Sequence, residues 1–206
     1  VLYFKDFPFI SSQKIKGFVS TKFNNSSYLS SNQFGIKWSK NNFYFNLYGQ
    51  YSISSDYRLP NNWYLFNSRF KQNAIKFSVS HRYKKWQNIF RYHLHTEVPG
   101  IPGHIHGDPD EAILINLTSS DLDLSTDYTT TRPNQNVTNQ LYIYETNYMK
   151  DNLKFNFYAG LFKNNLQEWE KWTKPAFDID LYNTQISPSI RYNTNNMTLN
   201  VGAQMT

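Results

Sequence analysis

Two neighbouring segments of the chain carry side chains that bind divalent cations. Residues 104–111 read HIHGDPDE, and they supply two imidazoles and three carboxylates: His104, His106, Asp108, Asp110 and Glu111. His93 and His95 lie two residues apart on a predicted strand that leads towards this segment. Imidazole suits zinc, copper, iron and nickel, and carboxylates can complete the ligand shell. The sequence therefore predicts either a metal site beside this strand or a solvated polar loop with incidental histidines.

Aromatic side chains form a second candidate site, for an organic ligand. Five tyrosines fall on the predicted polar faces of strands: Tyr44, Tyr48, Tyr142, Tyr144 and Tyr158. Arg91 shares its predicted face with the two strand histidines, and Trp169 and Trp172 lie in a predicted loop. Such rings can stack on a ligand or a sugar, and they can equally well pack against neighbouring side chains. Both interpretations stay open at this point.

Catalytic motifs are missing from the sequence. It has no glycine-rich phosphate loop, no nucleophile elbow and no H-E-x-x-H motif. Asp121 and Asp123 stand at alternate positions, but nothing in the sequence gives them a partnered geometry. We therefore predict no enzymatic activity and no required cofactor; bound zinc or an iron complex would be transported cargo.

The elements that must position these residues are predicted to be about nine β-strands. Alternation of apolar and polar residues indicates strands near 14–23, 33–39, 43–52, 68–82, 88–95, 139–149, 153–162, 184–193 and 197–205. The joints after the even-numbered strands are tight, at 40–42, 83–86, 150–152 and 194–196, and the other joints are longer. The principal long loops are predicted at 52–67, 97–138 and 163–183. Short turns at one end and long loops at the other are typical of outer-membrane barrels.

The faces of these strands favour the same architecture. Residues such as Phe34, Ile36 and Trp38 alternate with polar ones, and Phe43, Phe45 and Leu47 continue the pattern. We expect these six apolar side chains to be exposed on the outside, while the polar face lines a wide, wet lumen. Strands of this length cross a bilayer when they are tilted. Because single-chain bacterial barrels have even strand numbers, nine strands predict a segment of a larger barrel.

The amino-acid composition excludes several kinds of site and several classes of protein. The 206 residues suit one domain, and cysteine is absent, which excludes disulfides and thiolate metal sites. Aromatic residues make up 18% of the chain, which suits aromatic girdles at two membrane interfaces or an aromatic-rich β-sandwich. The net charge is +6, but the basic residues are scattered rather than concentrated on one face, so nucleic-acid binding is not predicted. No apolar run approaches the length of a transmembrane helix.

Several motifs resemble the front part of the barrel of TonB-dependent outer-membrane receptors. The opening residues 1–4 (VLYF) resemble the last strand of the family's plug domain. Residues 54–58 (SSDYR) with 67–70 (NSRF) resemble its second extracellular loop and the strand that follows. Residues 98–103 (VPGIPG) resemble the opening of the third extracellular loop, and 131–133 (TRP) with 139–141 (NQL) resemble the re-entry into the sixth strand.

The resemblance implies a domain organisation, a location and partners. Residues 1–13 would end the plug or link it to the barrel, and residues 14–206 would form part of a barrel that has 22 strands in this family. The location would be the bacterial outer membrane, in contact with lipid and lipopolysaccharide. TonB would act through an N-terminal part that this sequence does not include. Some zinc-importing members have a histidine-rich loop after a similar Pro-Gly opening, which residues 104–111 resemble sparsely.

The function that follows from this resemblance is uptake of a scarce nutrient. The expected substrate is an iron–siderophore complex, haem or zinc, and the sequence does not separate them. Two alternatives from other classes remain: a soluble β-sandwich or lectin-like binding module, and a passive porin. The orientation of the apolar face distinguishes the first of these, because a sandwich buries that face between two sheets.

Overall fold

The chain folds as an all-β protein dominated by one large antiparallel sheet. The computed structural model describes residues 13–58, 63–65, 67–102, 114–116, 127–130, 132–170 and 173–206. The strands are β1 (Lys16–Asn24), β2 (Leu29–Lys40), β3 (Phe43–Ser54), β4 (Tyr57–Arg58), β5 (Trp63–Leu65), β6 (Phe70–Tyr83), β7 (Trp86–Pro99), β8 (Leu114–Asn116), β9 (Asn134–Lys150), β10 (Leu153–Trp169), β11 (Phe177–Asn193) and β12 (Thr198–Gly202). Within the described residues, no helix is long and apolar enough to span a membrane.

Nine strands pair as neighbours in the order β1-β2-β3-β6-β7-β9-β10-β11-β12. Every pair is antiparallel, and omitting the short strands leaves neighbours in sequence order. The prediction of about nine antiparallel strands paired by hairpins is therefore confirmed. The sequence did not predict the short strands β4, β5 and β8, which form a separate three-stranded sheet.

The four tight turns lie at one end of the large sheet, as predicted. In the first, Asn41 and Asn42 both have positive φ (48° and 67°), the conformation of a type I′ hairpin turn. One hydrogen bond recurs between successive hairpins: Arg82 N donates to Asn42 O over 2.9 Å, and Met149 N donates to Lys85 O over 3.0 Å. Asn193 N donates the equivalent hydrogen bond to a carbonyl in the turn between β9 and β10. Each hairpin is therefore fixed to the next at its turn.

Two predicted loops are shorter in the structure. The β1–β2 joint is a four-residue turn at 25–28, and β10 and β11 extend through most of the predicted loop at 163–183. This extension lacks apolar alternation because its outer positions are polar. Asn165 Nδ2 donates to the carboxylates of Asp178 and Asp180 over 3.1 and 3.0 Å. The backbone ladder and these cross-strand bonds hold the strands together without an apolar face.

From β2 to β10 the large sheet has an apolar face with many exposed side chains and a polar face that is mostly half-buried or buried. Phe34, Ile36, Trp38 and Phe43 are between 37% and 49% exposed. Phe45 and Leu47 are half-buried, and no second sheet covers any of the six among the described residues. Among the described residues, ten polar or charged side chains are buried, including Ser31, Ser39, Ser52, Ser78 and Ser80 of the polar face. In the part of the chain that the structure describes, the only buried apolar side chains are Tyr64 and Ile89. This arrangement is the inverse of a water-soluble sheet.

Candidate functional site

The polar face of β7, β9 and β10 carries an ion pair at its centre. Arg91 Nη1 donates to Glu145 Oε1 over 2.6 Å, and the two side chains are 14% and 27% exposed. Tyr158 is the direct cross-strand neighbour of Glu145. The pair places one positive and one negative group beside a phenol. Such a cluster can bind a polar or zwitterionic ligand, and it also stabilises the sheet.

Hydrogen-bonded amides and hydroxyls continue this face over β2 and β3. Tyr48 OH donates to Gln50 Oε1 over 2.9 Å, and Gln50 Nε2 donates to Ser52 Oγ over 3.0 Å. Ser52 Oγ in turn lies 2.8 Å from Ser31 Oγ. These neutral groups have the chemistry to hydrogen-bond a hydroxylated ligand, but their present partners are one another.

The five predicted tyrosines do not form one cluster. Tyr44, Tyr48 and Tyr158 lie on the polar face, as expected. Tyr142 and Tyr144 lie on the apolar face, because β9 pairs with β7 so that they stand opposite Tyr92 and Phe90. The prediction that these two share a strand face with Tyr44, Tyr48 and Tyr158 was wrong. Leu141 and Ile143 are more apolar than Tyr142 and Tyr144, so local alternation placed the aliphatic side chains outward, whereas pairing with β7 puts them on the polar face.

Of the two tryptophans predicted as ligand-binding residues, only Trp169 lies within the described residues. Trp169 ends β10, and the guanidinium of Arg132 lies over its ring, 5.1 Å from the centroid. A cation over an indole is a favourable contact within the protein itself. Trp172 lies outside the described residues.

The predicted metal ligands are only partly described. His93 and His95 lie on the polar face of β7, opposite Lys76 and Ala74 of β6. His95 lies 2.7 Å from Gln72 Nε2 and 3.4 Å from Asn139 Nδ2 through its two ring nitrogens. Among the described residues no three histidine, aspartate or glutamate side chains are grouped to hold a metal ion. His104, His106, Asp108, Asp110 and Glu111 lie outside the described residues, so the metal site stays a prediction.

Asp56, Arg69 and Asp127 form a charged cluster at the loop end of the sheet, and we call this cluster the loop clasp. Arg69 Nη2 contacts Asp56 Oδ2 over 2.5 Å, and their side chains are 4% and 5% exposed. Asp56 Oδ1 also accepts from the backbone N–H groups of Ser68 and Arg69 at 2.9 and 3.1 Å. Arg69 Nη1 extends the cluster to Asp127 Oδ2 over 3.0 Å and to the carbonyl of Thr129 over 3.1 Å. The clasp joins the segment after β3 to the segment before β9.

A second set of contacts supports the loop clasp. Asn67 Nδ2 donates to the carbonyl of Pro133 over 2.6 Å, and Gly100 N donates to the carbonyl of Arg69 over 2.9 Å. A Cβ at Gly100 would lie 2.2 Å from the Asn67 carbonyl oxygen, so the approach requires glycine. Residues 54–58 and 67–70 were singled out in the sequence only by their resemblance to the receptor family. That these residues form buried hydrogen bonds and an ion pair between loops was not predicted, because the alternation of apolar and polar residues in strands carries no information on such contacts.

Two members of the loop clasp, Arg69 and Asp127, have shifted pKa values that favour their ionised forms. Burial lowers the pKa of Arg69, but hydrogen bonding and attraction from Asp56, and then from Asp127, outweigh burial and leave that pKa raised. Hydrogen bonds from Thr129 lower the pKa of Asp127, and the Arg69 guanidinium adds to this effect against the opposing effect of burial. The fold therefore favours the ionised forms of Arg69 and Asp127.

No protein-family model, curated protein or solved structure matched this chain.

Proposed function

We propose that the nine-stranded sheet is part of the wall of an outer-membrane β-barrel, within a TonB-dependent receptor that imports a scarce nutrient. The observation that carries this proposal is the inverted sheet. From β2 to β10 its apolar face is more exposed than its polar face, and a bilayer is the solvent in which that arrangement is stable. A soluble β-sandwich buries its apolar face between two sheets, so the same observation argues against a lectin-like module.

The apolar face also has dimensions that suit a bilayer. On β7 the outward side chains from Trp86 to Leu94 are apolar or aromatic except for Asn88, and Thr96 follows. These nine residues measure roughly 26 Å along the strand, which at the usual tilt of about 40° spans about 20 Å of the lipid-facing band, itself about 25 Å tall. Tyr83, Trp86 and Tyr148 lie on this face at the tight-turn end. Aromatic rings at the boundary of an apolar band are typical of a membrane interface.

The receptor assignment rests on the resemblance of the loop-end motifs, and the loop clasp gives those motifs a physical role. Asp56 and Arg69 come from the two segments, 54–58 and 67–70, that carry the resemblance. In this proposal the tight turns face the periplasm and the loops face outward, above a ligand-binding mouth. The polar face then lines the lumen, and an iron–siderophore complex, haem or zinc is the substrate class.

Alternating lipid exposure along one strand tests the membrane proposal. Because the chain has no cysteine, single cysteines can be introduced at each position from Gln33 to Trp38 and labelled with a polarity-sensitive fluorophore. In bilayers, nitroxide lipids should quench positions 34, 36 and 38 strongly and positions 33, 35 and 37 weakly, because successive side chains point to opposite faces. Equal quenching at all six positions would end the proposal.

Transport assays separate a receptor from a passive porin. Cells that express the full protein should take up labelled ferric siderophore, haem or zinc faster than cells that lack it. Deletion of TonB should abolish the difference if the protein is a receptor. Uptake that is unchanged without TonB would favour the porin.

A further inference from the structure

Residues of like charge stand directly opposite each other on the polar face of the large sheet. Lys154 of β10 is the cross-strand partner of Arg191 of β11, and Lys16 of β1 is the partner of Lys37 of β2. Both pairs lie in the half of the polar face that is nearer the tight turns. Like charges in direct cross-strand contact destabilise a sheet. An anion bound between them would remove that cost.

A hollow at the turn between β6 and β7 extends the positive charge along this end of the face. It has a volume of about 230 Å³, and three cations, two side-chain amides and no carboxylate are in its lining: Arg82, Lys84, Lys85, Gln87 and Asn147, together with Trp86 and Met149. Met149 is hydrogen-bonded to the carbonyl of Lys85 and is the cross-strand partner of Lys154. The hollow and the Lys154–Arg191 pair therefore lie in one row, which crosses the sheet over roughly 14 Å.

We call Arg82, Lys85, Lys154 and Arg191 the turn-end cations. Among the described residues, none of the four forms an ion pair, and neither does Asp151 in the turn between β9 and β10.

The other carboxylates of the polar face lie farther from the turns. Glu145 is in the ion pair with Arg91 at the centre of the face, and Glu97 and Glu168 lie at its loop end. The polar face is thus acidic towards the loops and basic towards the turns. A charge distribution of this kind draws anions towards the turn end and repels cations from it.

We infer that the turn-end cations bind an anionic cargo that carries several carboxylate or phosphate groups. This site rests on the proposed function, in which the polar face lines the lumen, and it narrows the substrate class. A carboxylate-bearing iron chelate fits, as does haem through its two propionates, whereas the free zinc ion is repelled. Guanidinium and ammonium groups bind such oxyanions by charge-assisted hydrogen bonds. A row of cations over roughly 14 Å suits a polyanion better than a single small anion.

Binding of a fluorescent polyanion to the purified full protein tests the site. The probe is pyrene tetrasulfonate, which carries four negative charges, and its fluorescence anisotropy is followed during titration with the protein in a nonionic detergent. We expect the unmodified protein to bind the probe. Lys85→Gln combined with Arg191→Gln should weaken binding about ten-fold, because each exposed ion pair contributes a factor of up to about five.

A matched double variant removes the same charge from the opposite face. Lys40 and Lys71 are exposed and lie on the apolar face, so Lys40→Gln combined with Lys71→Gln should bind the probe as the unmodified protein does. Phosphatidylglycerol added to the micelles should not displace the probe. Absence of binding to the unmodified protein, or equal losses in the two double variants, would overturn the inference. Displacement by phosphatidylglycerol would also overturn it and make the cations a site for lipid headgroups.

Uptake by cells separates this inference from the proposed function. In the Lys85→Gln and Arg191→Gln double variant, TonB-dependent uptake of an anionic iron complex or haem should fall about ten-fold at limiting concentration. If the receptor imports only zinc ion, or if the double variant imports its cargo at the unmodified rate, only the anion site is wrong. If uptake does not depend on TonB while probe binding still requires the turn-end cations, the receptor proposal falls and the anion site stands.

Discussion

Asp56 and Arg69 form a charged pair that is almost fully removed from solvent. Taking two ions out of water is costly, and the fold offsets that cost with additional hydrogen bonds. Two backbone N–H groups donate to Asp56, while the guanidinium reaches Asp127 and the carbonyl of Thr129. Removing one partner would leave the other buried and uncompensated, so the pair is sensitive to single substitutions.

Substituting Arg69 should destabilise the protein severely. We expect Arg69→Met to lower the free energy of unfolding by about 3–5 kcal/mol, because it leaves the Asp56 carboxylate buried without its partner. Urea unfolding of the refolded protein in detergent micelles measures this change in the free energy of unfolding. Lys71→Met, two residues away on the exposed face, should change stability by less than about 0.5 kcal/mol. Similar losses in the two variants would mean that the buried pair has no special role.

The loop clasp should also depend on pH through Asp127. Its pKa is lowered in the folded protein, so its contribution to stability is complete above the ordinary aspartate value of about 3.9. That contribution is lost as the pH falls through the lowered pKa.

Comparison with Asp127→Asn isolates this contribution from those of other titrating groups. The unmodified protein should be the more stable of the two at pH 6, and the difference should vanish at the acid end of the series. Because Asp127 is 40% exposed, the difference should stay below about 1 kcal/mol. A difference that is constant with pH would exclude the ionised form as the cause.

At the scale of single elements, the tight turns tolerate residues that are poorly suited to them. Lys84 has a φ of 52°, a conformation that asparagine and glycine adopt more readily than lysine. Lys84→Asn should therefore raise the unfolding free energy by about 0.5 kcal/mol, after loss of the contact with the Tyr83 ring is included. Lys85→Asn is the matched control, because φ is not positive there, and it should give no gain. Equal effects at 84 and 85 would contradict the backbone explanation.

The strands show which features the sequence could predict and which it could not. Period-two alternation correctly assigned the faces of β2 and β3, because Phe34 and Trp38 contrast with Gln33 and Lys37. It misassigned Tyr142 and Tyr144, because both faces of β9 carry apolar residues there and only pairing with β7 decides the outcome. It ended β10 near Phe162, although cross-strand amide–carboxylate bonds continue the strand to Trp169. Pairing register and polar ladders depend on neighbours distant in sequence, and a local pattern does not contain them.

At the scale of the whole molecule, the large sheet has two open edges among the described residues. β1 pairs with β2 alone and β12 pairs with β11 alone. An unpaired backbone edge in hydrocarbon costs several kcal/mol for each unsatisfied group, so a membrane-embedded sheet must be closed. If the proposed location is correct, further strands, rather than β1 and β12 themselves, complete the ring.

Cysteine crosslinking between the two edge strands tests this closure. In the full protein, Val19→Cys combined with Leu199→Cys or with Val201→Cys should form no intramolecular disulfide under mild oxidation. The combination Val19→Cys with Phe34→Cys should crosslink readily, because these residues are direct partners and a disulfide needs Cα atoms roughly 4.4–6.8 Å apart. Ready crosslinking of Val19→Cys to β12 within one chain would mean that the nine strands close on themselves. Crosslinking between chains would instead mean that copies share a barrel, and either result would remove the larger single-chain barrel from the proposal.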